Sequence, residues 1–142
     1  MARDDPYKAY NFRVEIDGIT VAAFCEVSGL SNETEVISYR VGGEPTAVRK
    51  LPGLTTYANL VLRRGITKND ELWNWRKTVL DGAVERRNGM IVLLADDGTD
   101  LVRWTFVDGW VAKYESSDLN AKANEVAIET IEIAHEGLSR ED

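Results

Sequence analysis

Most of this chain alternates apolar and polar residues with a period of two, and only one stretch carries the longer period of a helix. Phe12-Arg13-Val14-Glu15-Ile16 shows the alternation of a half-buried strand. Asp17-Gly18 follows as a hairpin signal, because glycine adopts positive φ without steric cost. Ile19 to Val27 continues the pattern, with Ile19, Val21, Ala23, Cys25 and Val27 on one face, so Cys25 reads as a small core residue. The opposite face, Thr20, Ala22 and Phe24, is too apolar for open water until Glu26 and predicts a second covering surface. A third strand is expected over Glu33 to Val41, after the Ser28-Gly29 turn. A further strand spans Thr55 to Arg64, with Ala58, Leu60 and Leu62 inward and Arg63 outward.

The exception is Thr67 to Gly82. Thr67 or Asn69 can cap a helix, Asp70 and Glu71 suit its positive end, and Gly82 ends it. Leu72, Trp75, Val79 and either Trp73 or Leu80 form one apolar stripe, with Lys68, Arg76 and Lys77 on the wet side. A lone amphipathic helix needs a sheet to bury that stripe. Beyond it, Met90–Ala95 and Leu101–Val107 form a second hairpin around Asp96-Asp97-Gly98. Gly109-Trp110 starts or kinks a strand to Tyr114, and Asn124–His135 forms the last one. In that last strand the apolar phase switches from Val126 and Ile128 to Ile131 and Ile133, which predicts a bulge near Thr130 or cover on both faces. The fold class is therefore mainly β, a small barrel or sandwich of seven or eight strands with one flanking helix, in a single domain over residues 1–142. Residues 1–11 read as an N-terminal arm, 42–54 as an extended loop broken by Gly42, Gly43, Pro45, Pro52 and Gly53, and 67–82 as the helix. Val48, Leu51 and Leu54 give that loop apolar anchors, and long loops in compact domains are usually functional.

The chemistry-bearing residues do not assemble into a site. His135 is the only histidine, and although Glu132 and Glu136 are close in sequence, a metal needs three or four ligands and acid–base work needs a pocket. Asp96, Asp97 and Asp100 lack the ligand alternation and closing glutamate of a calcium loop and read as a turn. Gly42-Gly43 does not open a phosphate-binding loop. The four tryptophans, Trp73, Trp75, Trp104 and Trp110, are explained by packing. The pairs Arg63-Arg64 and Arg86-Arg87 read as salt partners between subunits or as solvated faces. A net charge of −7 argues against stable nucleic-acid binding, and the longest apolar run, Met90–Ala95, is far too short to span a membrane. The acids near the N-terminus argue against an export signal, and one cysteine suits a reducing compartment. No cofactor and no catalysis are expected. Two-sided apolar strands and an anchored irregular stretch suit a protein whose partner is itself.

Taken in order, several phrases carry a family likeness. They are Asp5-Pro6-Tyr7, Asn11 to Gly18, Phe24 to Leu30, Gly42-Gly43, Arg49-Lys50-Leu51-Pro52-Gly53, and Leu60 to Gly65 followed by Asp70, Leu72 and Trp75. Arg103-Trp104, Gly109-Trp110, Asn124 to Glu129 and His135 to Leu138 complete the series, with Val111 standing where such proteins often carry proline. On these phrases the chain resembles the inner tube proteins of contractile phage tails and phage tail-like injection systems, the phage T4-like tail tube family, whose fold type VI secretion tube proteins share.

The resemblance implies hexameric rings stacked into a hollow tube, with the sheets of neighbouring copies merging around the lumen. It implies propulsion by a contracting sheath to puncture a target envelope and deliver cargo. The implied partners are further copies of the chain, a contractile sheath protein, a baseplate hub or spike, a tube terminator, and a luminal cargo or tape measure. The implied setting is assembly in the bacterial cytoplasm as part of a phage tail or injection particle. Subunit and ring contacts are expected at Gly42, Gly43, Glu44, Pro45, Val48, Arg49, Lys50, Leu51, Pro52 and Gly53, with Tyr7 and Tyr10 on the arm. The net charge leads us to expect an acidic or neutral lumen. The alternative from another class is a small-molecule-binding β-barrel with tryptophans lining its interior.

Overall fold

A computed structural model describes residues 6–9, 11–19, 24–40, 42–43, 48–122 and 125–142. Nine strands and one helix follow in order: β1 Phe12–Ile16, β2 Phe24–Ser28, β3 Asn32–Tyr39, β4 Arg49–Tyr57, β5 Leu60–Gly65, α1 Glu71–Leu80, β6 Arg87–Leu94, β7 Asp100–Ser116, β8 Ile128–Ala134 and β9 Gly137–Glu141. Seven strands form one folded sheet, and β3 and β4 pair separately.

β7 organises the molecule. It runs unbroken for 17 residues. β8 and β9 pair along the same side of it, from Ser116↔Glu129 to Arg103↔Glu141, while β6 pairs only with its first half, as far as Gly109. Two leaves result, β1-β6-β7-β9 and β7-β8-β5-β2, sharing this ribbon and packing face to face. The fold is a sandwich and not a closed barrel. The strand changes leaf around Asp108, whose φ of 53° marks the one left-handed non-glycine residue described. An extra residue of β7 is accommodated opposite Asn88, whose side-chain carbonyl accepts from the Asp108 N–H at 3.0 Å. Such a bulge bends and twists a strand. Gly89 lies beside this bend because an added Cβ would sit 2.5 Å from Phe106 Cζ and 2.7 Å from the Glu15 carbonyl.

The core lies between the leaves and under the helix. Val14, Ile16, Ile91 and Phe106 come from one leaf, Leu60, Leu62, Val111, Ile131 and Ile133 from the other, and Leu72 and Trp75 from α1. Alternation is what delivers these side chains to a common interior. α1 spans Glu71–Leu80, shorter at both ends than the expected 67–82, because Thr67 and Asn69 build the turn before it. Thr67 Oγ1 accepts from the Asn69 N–H, and Asn69 Oδ1 accepts from the Glu71 N–H at 2.9 Å. Leu72 and Trp75 are buried and Val79 half-buried, whereas Trp73 and Leu80 are exposed. Arg76 is no wet-side residue: its Nη1 donates to the Val111 carbonyl at 2.8 Å.

Three sequence expectations are refined or corrected here. The Asp17-Gly18 turn closes an antiparallel bridge between Ile16 and Ile19, but the partners that β1 and β2 take as strands are β6 and β5, which the sequence reading did not name. Positions 20–23 lie outside the described residues. The bulge expected near Thr130 is instead on the partner strand at Ala112, between Val111↔Ile133 and Lys113↔Glu132, while β8 pairs with β5 without interruption. The loop expected over 42–54 ends early, since β4 begins at Arg49 and carries Pro52 and Gly53 within it.

Candidate functional site

The β3–β4 hairpin is the most unusual surface of the molecule. All eight residues of β3 are exposed, and so is most of β4. Val36, Ile37, Tyr39, Val48, Leu51 and Leu54 all remain open to solvent, with Leu54 at 77 %. An isolated two-stranded ribbon is at best marginally stable in water, so these side chains call for a partner. The register runs from Asn32↔Tyr57 to Tyr39↔Arg49 and shifts between Thr34 and Val36. Gly53 and Leu54 stand opposite Glu35 at that shift, and Pro52 pairs with Val36 directly beside it, on a ribbon whose edges tolerate a residue without an N–H donor. The hairpin is anchored at Gly29, whose φ is 90° and whose added Cβ would collide with the Asn59 carbonyl. The Ala58 N–H to Ser31 carbonyl bond at 3.3 Å closes the base.

The expected interface residues are thus distributed unevenly. Gly42, Gly43 and Val48 flank the tip and are exposed, while Arg49, Lys50, Leu51, Pro52 and Gly53 belong to β4. Glu44, Pro45 and Tyr10 lie outside the described residues. Tyr7 is exposed on the N-terminal arm, where neighbouring Lys8 pairs with Asp96 at 3.6 Å, so it belongs to the β6–β7 turn and not to the hairpin.

The leaf β7-β8-β5-β2 has a second uncommon property. β2 is its edge at one side, and at the other the half of β7 beyond Gly109 has no strand beside it among the described residues. Its outer face is polar and internally paired. Arg63 lies 3.7 Å from Glu26, Lys113 3.4 Å from Glu115, and Asn59 donates to Glu132 at 3.1 Å.

Beneath this face lies a buried ionic group that the sequence reading missed. Arg64 is 2 % exposed and its Nε donates to Glu129 Oε1 at 2.6 Å. The Tyr114 hydroxyl donates to Glu129 Oε2 at 2.6 Å, and Arg64 Nη2 reaches the Asn69 carbonyl at 3.2 Å, tying the sheet to the turn before α1. Burial, then the hydrogen bond from Tyr114 to Glu129, pushes the Tyr114 phenol up to about 12. Arg63 and Arg86, by contrast, are exposed and pair with Glu26 and Glu136, and the less exposed Arg87 pairs with Glu85.

The remaining chemistry-bearing residues take structural places. Cys25 is exposed, not in the core, because it is the extra residue where β2 shifts register between Phe24↔Arg64 and Glu26↔Arg63. Its thiol donates to the Arg63 carbonyl at 3.4 Å. His135 is half-buried, with its two ring nitrogens each 3.1 Å from a carbonyl, of Gly137 and of Ala58. Asp97 closes its turn by accepting from the Thr99 N–H and hydroxyl, and those bonds hold its carboxyl below the usual range. The tryptophans are dispersed: Trp75 is in the core with its Nε1 donating to the Glu85 carbonyl, Trp73 lies outside against Tyr114, and Trp104 and Trp110 are half-buried on β7.

A sandwich with an arm of exposed apolar residues and a leaf with open edges defines a subunit built to meet other subunits. The model of the T4-like virus tail tube protein gp19 matches residues 8–139, and the chain belongs to that family. Among solved structures, a chain of the anti-feeding prophage baseplate is 27% identical, with a TM-score of 0.88 over 98% of this chain and 97% of that one. A chain of the PVC sheath-tube complex, an extracellular contractile injection system in its extended state, is 27% identical at a TM-score of 0.86, covering 96% and 91%. Hcp1 from Flavobacterium johnsoniae shares the fold, at 16% identity and a TM-score of 0.61 over 92% and 94%. No curated protein sequence gives a significant match. The chain is a structural tube subunit.

Proposed function

We propose that this chain forms hexameric rings that stack into the hollow inner tube of a contractile particle, driven through a target envelope by a surrounding sheath. The observation that carries the reading is the β3–β4 hairpin, whose apolar side chains stand in solvent on a ribbon that needs a partner. The open edges of β2 and of β7 pair between neighbouring copies, which removes the aggregation liability of both. The polar outer face of that leaf then lines the lumen. Arg63 and Lys113 there stand against Glu26, Glu115 and Glu132, giving a nearly neutral, slightly acidic wall over which cargo slides without sticking. The hairpin residues from Gly42 to Gly53 make the contact with an adjacent copy. Sheath, baseplate and terminator meet the tube's outside and its two ends, and assembly takes place in the bacterial cytoplasm. Contraction of the sheath supplies the energy, so the subunit needs no catalysis of its own.

Native mass spectrometry tests the ring. A species with the mass of six chains is expected; monomer alone across the accessible concentration range contradicts it.

A further inference from the structure

The four most exposed large apolar side chains among the described residues are Leu119, Leu54, Val126 and Val36. Two of them lie on the β3–β4 hairpin, and the other two lie elsewhere. Leu119 and Val126 flank a groove of about 430 Å³ in the loop between β7 and β8, lined also by Asp118, Asn120, Glu125 and Ala127. Among the described residues, two carboxylates and no cation line it. The hairpin carries the opposite charge toward its tip, where Arg40, Arg49 and Lys50 are exposed and Glu44 is the only acid from Ser38 to Leu51. In a chain of net charge −7 such a cationic tip is a local reversal.

The two surfaces lie at opposite ends of one leaf. The hairpin base meets the start of β5, where Ala58 bonds Ser31 and Gly29 packs on Asn59. The groove loop meets its end, where the Ile66 N–H donates to the Ala127 carbonyl and the Ser117 N–H to that of Ile128. The length of β5 separates the hairpin base from the groove by roughly 17 Å. Complementary surfaces rooted at opposite ends of a leaf suit a head-to-tail contact that joins one copy to the next and repeats without closing.

We infer that the groove between Leu119 and Val126 is the receptor for the hairpin of a second copy. Its carboxylates Asp118 and Glu125 face Arg49 and Lys50, and Leu119 and Val126 cover the hairpin's apolar side chains. This rests on the tube reading and names the partner surface within it. It also explains why two apolar patches of opposite charge coexist on one acidic chain: like-charged groups on any other neighbour disfavour the wrong register.

Charge exchange tests the contact. Arg49→Glu with Lys50→Glu, and separately Asp118→Lys with Glu125→Lys, alter exposed positions outside the core. Each pair is expected to raise the concentration needed for assembly roughly tenfold or more. All four changes in one chain are expected to restore it. A second arm joins Lys50→Cys and Glu125→Cys in a Cys25→Ser background, where oxidation should give a ladder of covalent oligomers on a non-reducing gel. Undiminished assembly of either charge variant, no rescue by the combination, or absence of the ladder overturns the contact while the unmodified chain still forms tubes. If the unmodified chain does not associate at all, the contact and the tube reading fall together.

Discussion

Arg64 and Glu129 form a pair that is expensive to break and unexpectedly cheap to replace. Both are nearly inaccessible, and one Arg64 Nη1 has no hydrogen-bond partner among the described residues. Removing Arg64 alone strands a buried carboxylate, so Arg64→Ala is expected to cost about 3–5 kcal/mol, read as a lower urea midpoint. Arg64→Met combined with Glu129→Leu should recover most of that loss, since apolar replacement of a buried pair is often neutral. A combined variant as unstable as Arg64→Ala would show that the ions themselves hold the sheet together. Tyr114 adds a pH dependence. Its phenol is raised to about 12 in the folded chain, mainly by burial, against about 10 unfolded, so its contribution is complete below pH 10 and lost as pH rises from 10 to 12. Tyr114→Phe should therefore flatten the decline of the urea midpoint across that window, relative to the unmodified chain. Identical slopes would rule the linkage out. The inward placement of Arg64 was legible, because it continues the phase of Leu60 and Leu62, as Glu129 continues that of Ile131 and Ile133. Reading Arg63-Arg64 as a basic surface pair obscured it. Cys25 went wrong for a different reason: a register shift at that residue breaks the phase that Val27 keeps, and nothing in the local sequence announces it.

Among the elements, the hairpin is separable from the fold. No described residue from Asn32 to Tyr57 belongs to the buried core cluster. Deleting Gly43 to Leu51 should leave the urea midpoint within about 0.5 kcal/mol of the parent in stability terms while abolishing ring stacking. Tubes of normal length from the deleted chain would contradict the role given to this element. Its position was visible in sequence as the place where regular alternation fails, but its form was not. Pro52-Gly53 reads as a break, yet the strand continues through it: Pro52 keeps its register with Val36, and a bulge at Gly53 and Leu54 follows. The helix and the β6–β7 hairpin were legible because their signals are local, a stripe of Leu72 and Trp75 and a turn at Asp97. The pairing of β1 with β6 was not, since it joins segments more than seventy positions apart.

For the whole molecule, two leaves share one long ribbon, one leaf presents open edges and a charge-paired face, and apolar surfaces stand at its two ends. A monomer has no use for this combination, and a stacked cylinder uses each part. The choice between sandwich and barrel was open in the sequence because alternation fixes which side chains face inward and not whether the first and last strands meet. The order of the family phrases settled the class of protein even so. Negative-stain electron microscopy of the purified chain at high concentration, alone and produced with the sheath protein of the same particle, tests the central claim. The account predicts rings with six-fold symmetry that stack into hollow tubes and are enclosed by sheath; a strict monomer that joins no sheath-bearing particle would contradict it.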